Sequence, residues 1–282
     1  MSCREGDLSH HLFGSIAPYD EYLTKFPLHE AFGLDLAEYG PVSAKASKTA
    51  YESVDPTNTT PFPPELDDLI RLHHLVISRR VTTVLEFGVG KSSIIFDLAL
   101  SVNAENYGPP SDLRRSNLHE CHSVDNNPQW IATCRDLGLS ERVSLHLSDC
   151  HVTTFSDRVC TMFDSLPNIC PDLIYLDGPD QFSPIGDVRG ISTRLSDRLP
   201  MAGDLLSIEH FLLPGTLIVI DGRTANARFL ATNFQRSWVH WHSEEFDQHF
   251  FELVEPPLGR VNSAQVDYCL GQSFRERVDL WG

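Results

Sequence analysis

The chain has 282 residues, 41% of them hydrophobic and 22% charged, which suits one large globular domain or one domain with an extension. Its 39 acidic residues against 22 basic ones give a formal net charge of −17, and a field of that sign disfavours a nucleic-acid partner. No apolar run of about 18 residues and no secretory signal is present, so we expect a cytoplasmic protein that does not bind membranes.

The first 60 residues carry frequent prolines and glycines and only weak periodicity, so we predict an N-terminal extension over 1–60 that is partly helical or irregular. The main domain then spans 61–282. It opens on a proline-rich stretch and a helix that closes near Arg79 and Arg80. Acidic residues in the first turn of this helix and arginines in its last turn complement the helix dipole.

From Val81 onwards, short apolar runs alternate with helical patterns. Strands are predicted over 81–87, 119–124, 143–147, 172–176 and 216–220, with helices between them, one of which begins at Pro128 behind the N-cap residue Asn127. Strands that alternate with helices indicate βαβ units. Two last runs, 238–241 and 249–254, lie too close together for a helical crossover and are expected to pair antiparallel.

The predicted fold class is therefore α/β. We expect a doubly wound, mostly parallel seven-stranded sheet with an antiparallel edge strand and helices on both faces. Ligands on such sheets bind outside the carboxyl ends of the strands. Five predicted strands end in an acidic residue at that edge: Glu86, Asp125, Asp149, Asp177 and Asp221.

The glycine turn after the first predicted strand admits three interpretations. Gly90-Lys91-Ser92 ends like a phosphate-binding P-loop, but Leu85 stands where the first glycine of that loop is required. Gly88 and Gly90 fit a dinucleotide site, in which Ser93 replaces the third glycine. The third interpretation gives weight to the acid two residues before Gly88.

Glu86-x-Gly88-x-Gly90 after a strand resembles motif I of the class I S-adenosylmethionine-dependent methyltransferases, Rossmann-like enzymes that here would be of the small-molecule type. The resemblance spans about 64–254. It implies that Asp125 binds the ribose hydroxyls of S-adenosylmethionine and that Asp149 contacts the adenine. The implied cofactor-binding residues are Glu86, Gly88, Gly90, Ser92, Asp125 and Asp149, with Ser92 where many members carry a third glycine.

On the acceptor side, Asp177 and Asp221 resemble the metal-ligand positions of divalent-metal-dependent O-methyltransferases, which implies Mg²⁺ as a second cofactor. Those members follow the second acid with Asn, where this chain has Gly222, and Asp180 could supply the missing ligand. We expect Asp177 and Asp221 to reach a common point from neighbouring strands. Because two carboxylates repel each other, either one of them must be protonated or a cation must lie between them, such as a metal ion or the nearby Arg223.

His210 is a further catalytic candidate, because histidine titrates near neutral pH and could act as a base. Arginines near the same rim suggest an anionic group on the small-molecule acceptor; they are Arg189, Arg194, Arg198, Arg223 and Arg228.

These features predict methyl transfer from S-adenosylmethionine to a small-molecule hydroxyl or amine. Two alternatives stay open: a nicotinamide-dependent oxidoreductase that uses the same glycine turn, and a non-catalytic Rossmann-like binding protein. Glu86 before the first glycine favours the methyltransferase. The sequence makes no prediction of oligomeric state.

Overall fold

The computed structural model describes residues 3–39, 64–108 and 113–281. The strands within these ranges are β1 Arg4–Glu5, β2 Thr83–Phe87, β3 Glu120–Asp125, β4 Val143–Leu147, β5 Cys150–Phe155, β6 Arg158–Phe163, β7 Leu173–Leu176, β8 Leu217–Asp221, β9 Trp238–Ser243 and β10 Gln248–Leu253. The α-helices are α1 Ser9–Phe13, α2 Tyr19–Lys25, α3 Leu36–Tyr39, α4 Leu66–Ser78, α5 Lys91–Asn106, α6 Pro128–Arg135, α7 Gly203–Ile208, α8 Thr224–Asn233, α9 Gly259–Cys269 and α10 Gln272–Trp281.

The central sheet has the strand order β1-β9-β10-β8-β7-β2-β3-β4. Strands β4, β3, β2, β7 and β8 run parallel to one another, and β10 is antiparallel to both β8 and β9. The predicted α/β class and mostly parallel sheet are therefore confirmed. The sheet has eight strands rather than the predicted seven, because the two-residue β1 pairs with β9 at its edge. The antiparallel strand β10 therefore lies inside the edge, with β9 and β1 beyond it.

Both faces of the sheet are covered because its central strands are apolar on both sides. Tyr175 and Val219 face a core formed with α4, α5 and the N-terminal helices. Ile174 and Ile218, one residue away, face a second core formed with α7 and α8. This alternation has the period of two that strand geometry requires.

The described N-terminal residues contribute to the first of these cores. Leu8, Leu12, Leu23 and Leu28 are buried among residues of α4, α5 and the sheet. The hydroxyl of Tyr22 is also hydrogen bonded to Nδ1 of the buried His73 at 2.8 Å. Residues 3–39 thus share one hydrophobic core with the domain that we predicted to begin at residue 61.

A β-hairpin formed by β5 and β6 interrupts the alternation of strands and helices. Its turn residues Ser156 and Asp157 both have positive φ, 49° and 62°, as the mirror-image turns of tight hairpins require. Isolated bridges from His151 to Ile185 and from Thr161 to Ala202 join the hairpin to the long segment before α7.

No helix in the described ranges is both long enough and apolar enough to cross a membrane.

Candidate functional site

The glycine turn after β2 packs directly against the turn after β7. Gly88 has φ +95°, and a Cβ atom on it would lie 3.0 Å from the backbone nitrogen of Gly178. A Cβ atom on Gly178 would lie only 2.6 Å from the backbone nitrogen of Gly88. By contrast, a Cβ atom on Gly90 would meet nothing within 4 Å, so the space above Gly90 is open to a ligand.

The carboxylate of Glu86 is fully buried beneath this turn and is held by three serine hydroxyls. Ser92 donates to Oε1 at 2.5 Å, while Ser93 and Ser123 donate to Oε2 at 2.6 Å and 2.5 Å. Burial raises the pKa of Glu86 to about 7, against the opposing effect of the three hydroxyl donors. Glu86 therefore ties the start of α5 to β3, and Ser92 binds Glu86 through its hydroxyl.

Asp125 connects two of the loops at the carboxyl edge. Its Oδ2 accepts a hydrogen bond from the backbone N–H of Val89 at 3.0 Å, and its Oδ1 accepts one from the N–H of Asn127 at 2.7 Å. Burial raises its pKa to about 6, although the two backbone donors favour the charged form. Asn127 caps α6 as predicted, since its side chain accepts from the backbone N–H groups of Gln129 and Trp130.

The next loop along the rim faces Asp125. Trp130 of α6 donates its indole N–H to Asp180 at 3.3 Å, and the hydroxyl of Ser183 donates to the side-chain oxygen of Asn126 at 3.1 Å. These contacts link the segment after β7 to the start of α6.

Asp149 is exposed and lies between β4 and β5, directly before Cys150. Its backbone carbonyl accepts a hydrogen bond from the N–H of Asp164 at 2.8 Å, which places it at the base of the β5–β6 hairpin. It lies on the same edge of the sheet as Asp125, because β3 and β4 are parallel neighbours.

Asp177 and Asp221 end the neighbouring parallel strands β7 and β8, whose register pairs Leu176 with Ile220 immediately before them. Burial and, to a smaller extent, the negative charge of Asp177 raise the pKa of Asp221 to about 7. Asp221 accepts hydrogen bonds from the hydroxyl of Tyr175 at 3.0 Å and from the side-chain amide of Gln248 at 3.3 Å.

Arg223 supplies the positive charge next to Asp177. Its Nε lies 3.5 Å from Oδ1 of Asp177, and its guanidinium also donates to the backbone carbonyls of Asp177 and Pro179. The side chain of Asp177 is about half exposed, at 53%, so this ion pair faces solvent.

The residues around Asp177 and Asp221 do not fit Mg²⁺. Arg223 already provides the cation beside Asp177, both oxygens of Asp221 accept hydrogen bonds from uncharged donors, and Gly222 has no side chain to offer. Asp180, the predicted substitute ligand, bonds to Trp130 instead.

The structure contradicts the prediction that His210 acts as a base at this edge. His210 is exposed in a 3-10 helix, Glu209–Phe211, that precedes β8 and so lies at the amino end of that strand. A five-residue strand is roughly 16 Å long, which separates His210 from the carboxyl edge.

Of the five candidate arginines, Arg223 is bonded at the acidic edge. Arg189, Arg194 and Arg228 are exposed, and Arg198 donates to the carbonyl of Ser192 within its own loop.

The sequence did not reveal a second set of polar residues behind Asp221. The amide of Gln248 also contacts Asp68 at 3.4 Å, and Asp68 pairs with the buried Arg71 of α4. The positive charge of Arg71 opposes the rise in the pKa of Asp221. Helix α4 appeared in the sequence only as an amphipathic helix, and nothing in its spacing indicated that its polar residues approach β8.

Neither a protein-family model nor a curated protein matches the chain. Among solved structures, the chain is similar to SAH-bound methyltransferase PaMTH1 from Podospora anserina, with 12% identity, 87% of this chain and 93% of that chain covered, and a TM-score of 0.41. The O-methyltransferase TomG from Streptomyces achromogenes, in complex with SAM, shares 13% identity over 87% of this chain and 95% of its own, with a TM-score of 0.38.

A third structure, a putative caffeoyl-CoA O-methyltransferase from Staphylococcus aureus, shares 12% identity over 83% of this chain and 98% of its own, with a TM-score of 0.39. These similarities are weak, and the α/β assignment rests on the strand order of this chain itself.

Proposed function

We propose that this chain transfers a methyl group from S-adenosylmethionine to a hydroxyl or amine of a small molecule. The observation that carries the proposal is the bond from Val89 to Asp125, which joins the glycine turn to the second strand end beside the open space above Gly90. The sequence resemblance assigns these same two loops to the cofactor.

The residues at this edge fit the parts of that cofactor. Helix α5 begins at Lys91, directly after Gly90, and the N–H groups of a helix N-terminus favour a carboxylate. Each oxygen of Asp125 accepts one backbone hydrogen bond and retains a further lone pair, so the carboxylate can also accept from a vicinal diol. S-Adenosylmethionine supplies a methyl group bound to a positively charged sulfur.

On the acceptor side, the work of the protein is to position the acceptor and to remove its proton. Methyl transfer is an in-line displacement, so alignment of the two reactants provides most of the catalysis. With a pKa of about 7, the carboxylate of Asp221 is suited to take a proton from an acceptor hydroxyl or ammonium at neutral pH. Arg223 would hold Asp177 in place beside it, which requires no metal ion.

Calorimetric titration with S-adenosylhomocysteine and, separately, with NADH tests the proposal. We expect S-adenosylhomocysteine to bind and Asp125→Ala to weaken that binding by about 1.5–3 kcal/mol, the range for hydrogen bonds to a charged group. Asp136→Ala is the matched control, since Asp136 is an exposed acid at the end of α6. This variant should bind S-adenosylhomocysteine with the affinity of the unmodified protein.

Binding of NADH instead would favour the oxidoreductase, and binding of neither compound would favour a non-catalytic protein with another ligand. Undiminished affinity in a correctly folded Asp125→Ala variant, checked by thermal melting, would remove Asp125 from the site.

A further inference from the structure

A second cluster of metal-ligating side chains lies at the base of the β5–β6 hairpin, apart from Asp177 and Asp221. It consists of Asp149, His151 and Asp164, which we call the hairpin triad. One ligand atom from each of the three residues lies within 4.8 Å of the other two, and Nε2 of His151 is 3.4 Å from Oδ2 of Asp164.

The register of the hairpin produces this arrangement. Cys150 pairs with Phe163, and the next hydrogen bond runs from the N–H of Asp164 to the carbonyl of Asp149. Asp149 and Asp164 are therefore cross-strand neighbours, whose Cβ atoms in antiparallel pairs are about 5 Å apart. His151 is two residues from Asp149 and so points to the same face of the strand.

The charges of the hairpin triad are unbalanced. Two carboxylates are brought together, and among the described residues neither forms an ion pair with a lysine or arginine. Like charges at this distance destabilise each other unless a cation is shared between them. The imidazole of His151 lies beside Asp164, and imidazole is a common metal ligand.

We infer that the hairpin triad binds a divalent first-row transition-metal ion such as Zn²⁺, Co²⁺ or Mn²⁺. One imidazole nitrogen with two carboxylate oxygens is a donor set that these ions accept, whereas Mg²⁺ favours oxygen ligands alone. The His151 and Asp164 side chains are 41% and 62% exposed, so an ion can enter from solvent and keep water in its remaining positions.

Such an ion would join β5 to β6 at the open end of the hairpin. Because His151 is bridged to Ile185, it would also secure the segment that follows β7. Metal binding should therefore raise the melting temperature of the protein, since a ligand that binds only the folded state stabilises it.

The test is calorimetric titration of the untagged, chelator-treated full-length protein with Zn²⁺, together with the visible absorption spectrum on addition of Co²⁺. We expect one site that is lost, or weakened by roughly tenfold or more, in His151→Asn and in Asp164→Asn. Zn²⁺ should raise the melting temperature of the unmodified protein. It should not raise the melting temperature of either variant by binding at the hairpin triad.

Two control variants locate the site. Asp157→Asn removes the same charge from the far end of the same hairpin, at a positive φ that Asn tolerates, and should leave binding unchanged. Asp177→Asn should also bind Zn²⁺ with full affinity, which separates the hairpin triad from the acids after β7 and β8. Absence of binding at millimolar Zn²⁺, or equal binding in His151→Asn and Asp164→Asn, would overturn the inference.

Discussion

The hydrogen-bond partners of Glu86 could not be predicted from the motif in which it lies. The sequence resemblance assigns it to the cofactor site, and its carboxylate is fully buried and accepts hydrogen bonds from Ser92, Ser93 and Ser123. Ser92 stands where many members of the family that the motif resembles carry a glycine. Glu86 is therefore hydrogen bonded to the residue at the third position of the turn, Ser92, and the spacing of glycines alone does not predict this bond.

The raised pKa of Glu86 makes its contribution to stability depend on pH. An acid whose pKa is about 7 in the folded state and 4.5 when unfolded stabilises the fold most below pH 4.5, and this contribution is lost as the pH rises through 7. Glu86→Gln is permanently neutral. Between pH 5.5 and pH 8 the free energy of unfolding should therefore shift by about 2 kcal/mol in favour of the variant, as measured by urea denaturation.

Glu105→Gln is the control for this prediction, because it makes the same substitution at an exposed position on α5. A difference between Glu86→Gln and the unmodified protein that stays constant over this range would mean that Glu86 does not titrate there.

At the scale of elements, the apolar runs predicted seven of the eight strands of the central sheet to within about two residues, because buried strands are nearly continuous in hydrophobicity. Strand β1, Arg4–Glu5, was not predicted because it has only two residues and both are exposed. The β5–β6 hairpin was missed because its turn, Ser156-Asp157, contains no glycine. His210 could have been placed correctly from sequence alone, since a residue that precedes a strand lies at its amino end. The contacts of Gln248 with Asp68 and with Asp221 could not be predicted, because Gln248 and Asp68 are far apart in the sequence.

The turns after β2 and β7 predict different effects for two glycine substitutions, one on stability and the other on cofactor affinity. Gly178→Ala would push a Cβ atom to 2.6 Å from the Gly88 backbone and should lower the free energy of unfolding by about 1–3 kcal/mol. Gly90→Ala meets no atom and should leave stability within about 0.5 kcal/mol, while its methyl group enters the proposed cofactor space. The affinity of the Gly90→Ala variant for S-adenosylhomocysteine should fall by roughly tenfold or more.

Urea denaturation and calorimetry on the two glycine variants would measure both quantities. Full affinity in a stable Gly90→Ala variant would show that the cofactor does not lie above Gly90.

At the scale of the whole molecule, the least predictable feature was the N-terminal segment. Its helices are short, α1 having five residues and α2 seven, so their periodicity is too brief to recognise as amphipathic. Their partners are the apolar residues of α4 and the sheet, far along the sequence. Frequent prolines and glycines therefore suggested an extension where the described residues 3–39 complete a core.

This shared core predicts that damage to the N-terminal helices destabilises the whole domain. Leu23 of α2 is 2% exposed, and Leu23→Ala should lower the free energy of unfolding by about 2–5 kcal/mol, the usual range for a buried leucine. All four tryptophans lie after residue 60, at 130, 238, 241 and 281. Because Trp281 contacts His11 and Trp241 contacts Phe13, the measurement uses a Trp241→Phe, Trp281→Phe background, in which only Trp130 and Trp238 of the main domain fluoresce. In urea, the tryptophan transition of Leu23→Ala should move to lower denaturant as one cooperative step. Leu280→Ala, at a leucine that is 68% exposed, should leave it in place. A tryptophan transition that Leu23→Ala does not move would mean that residues 3–39 unfold independently of the sheet that they cover.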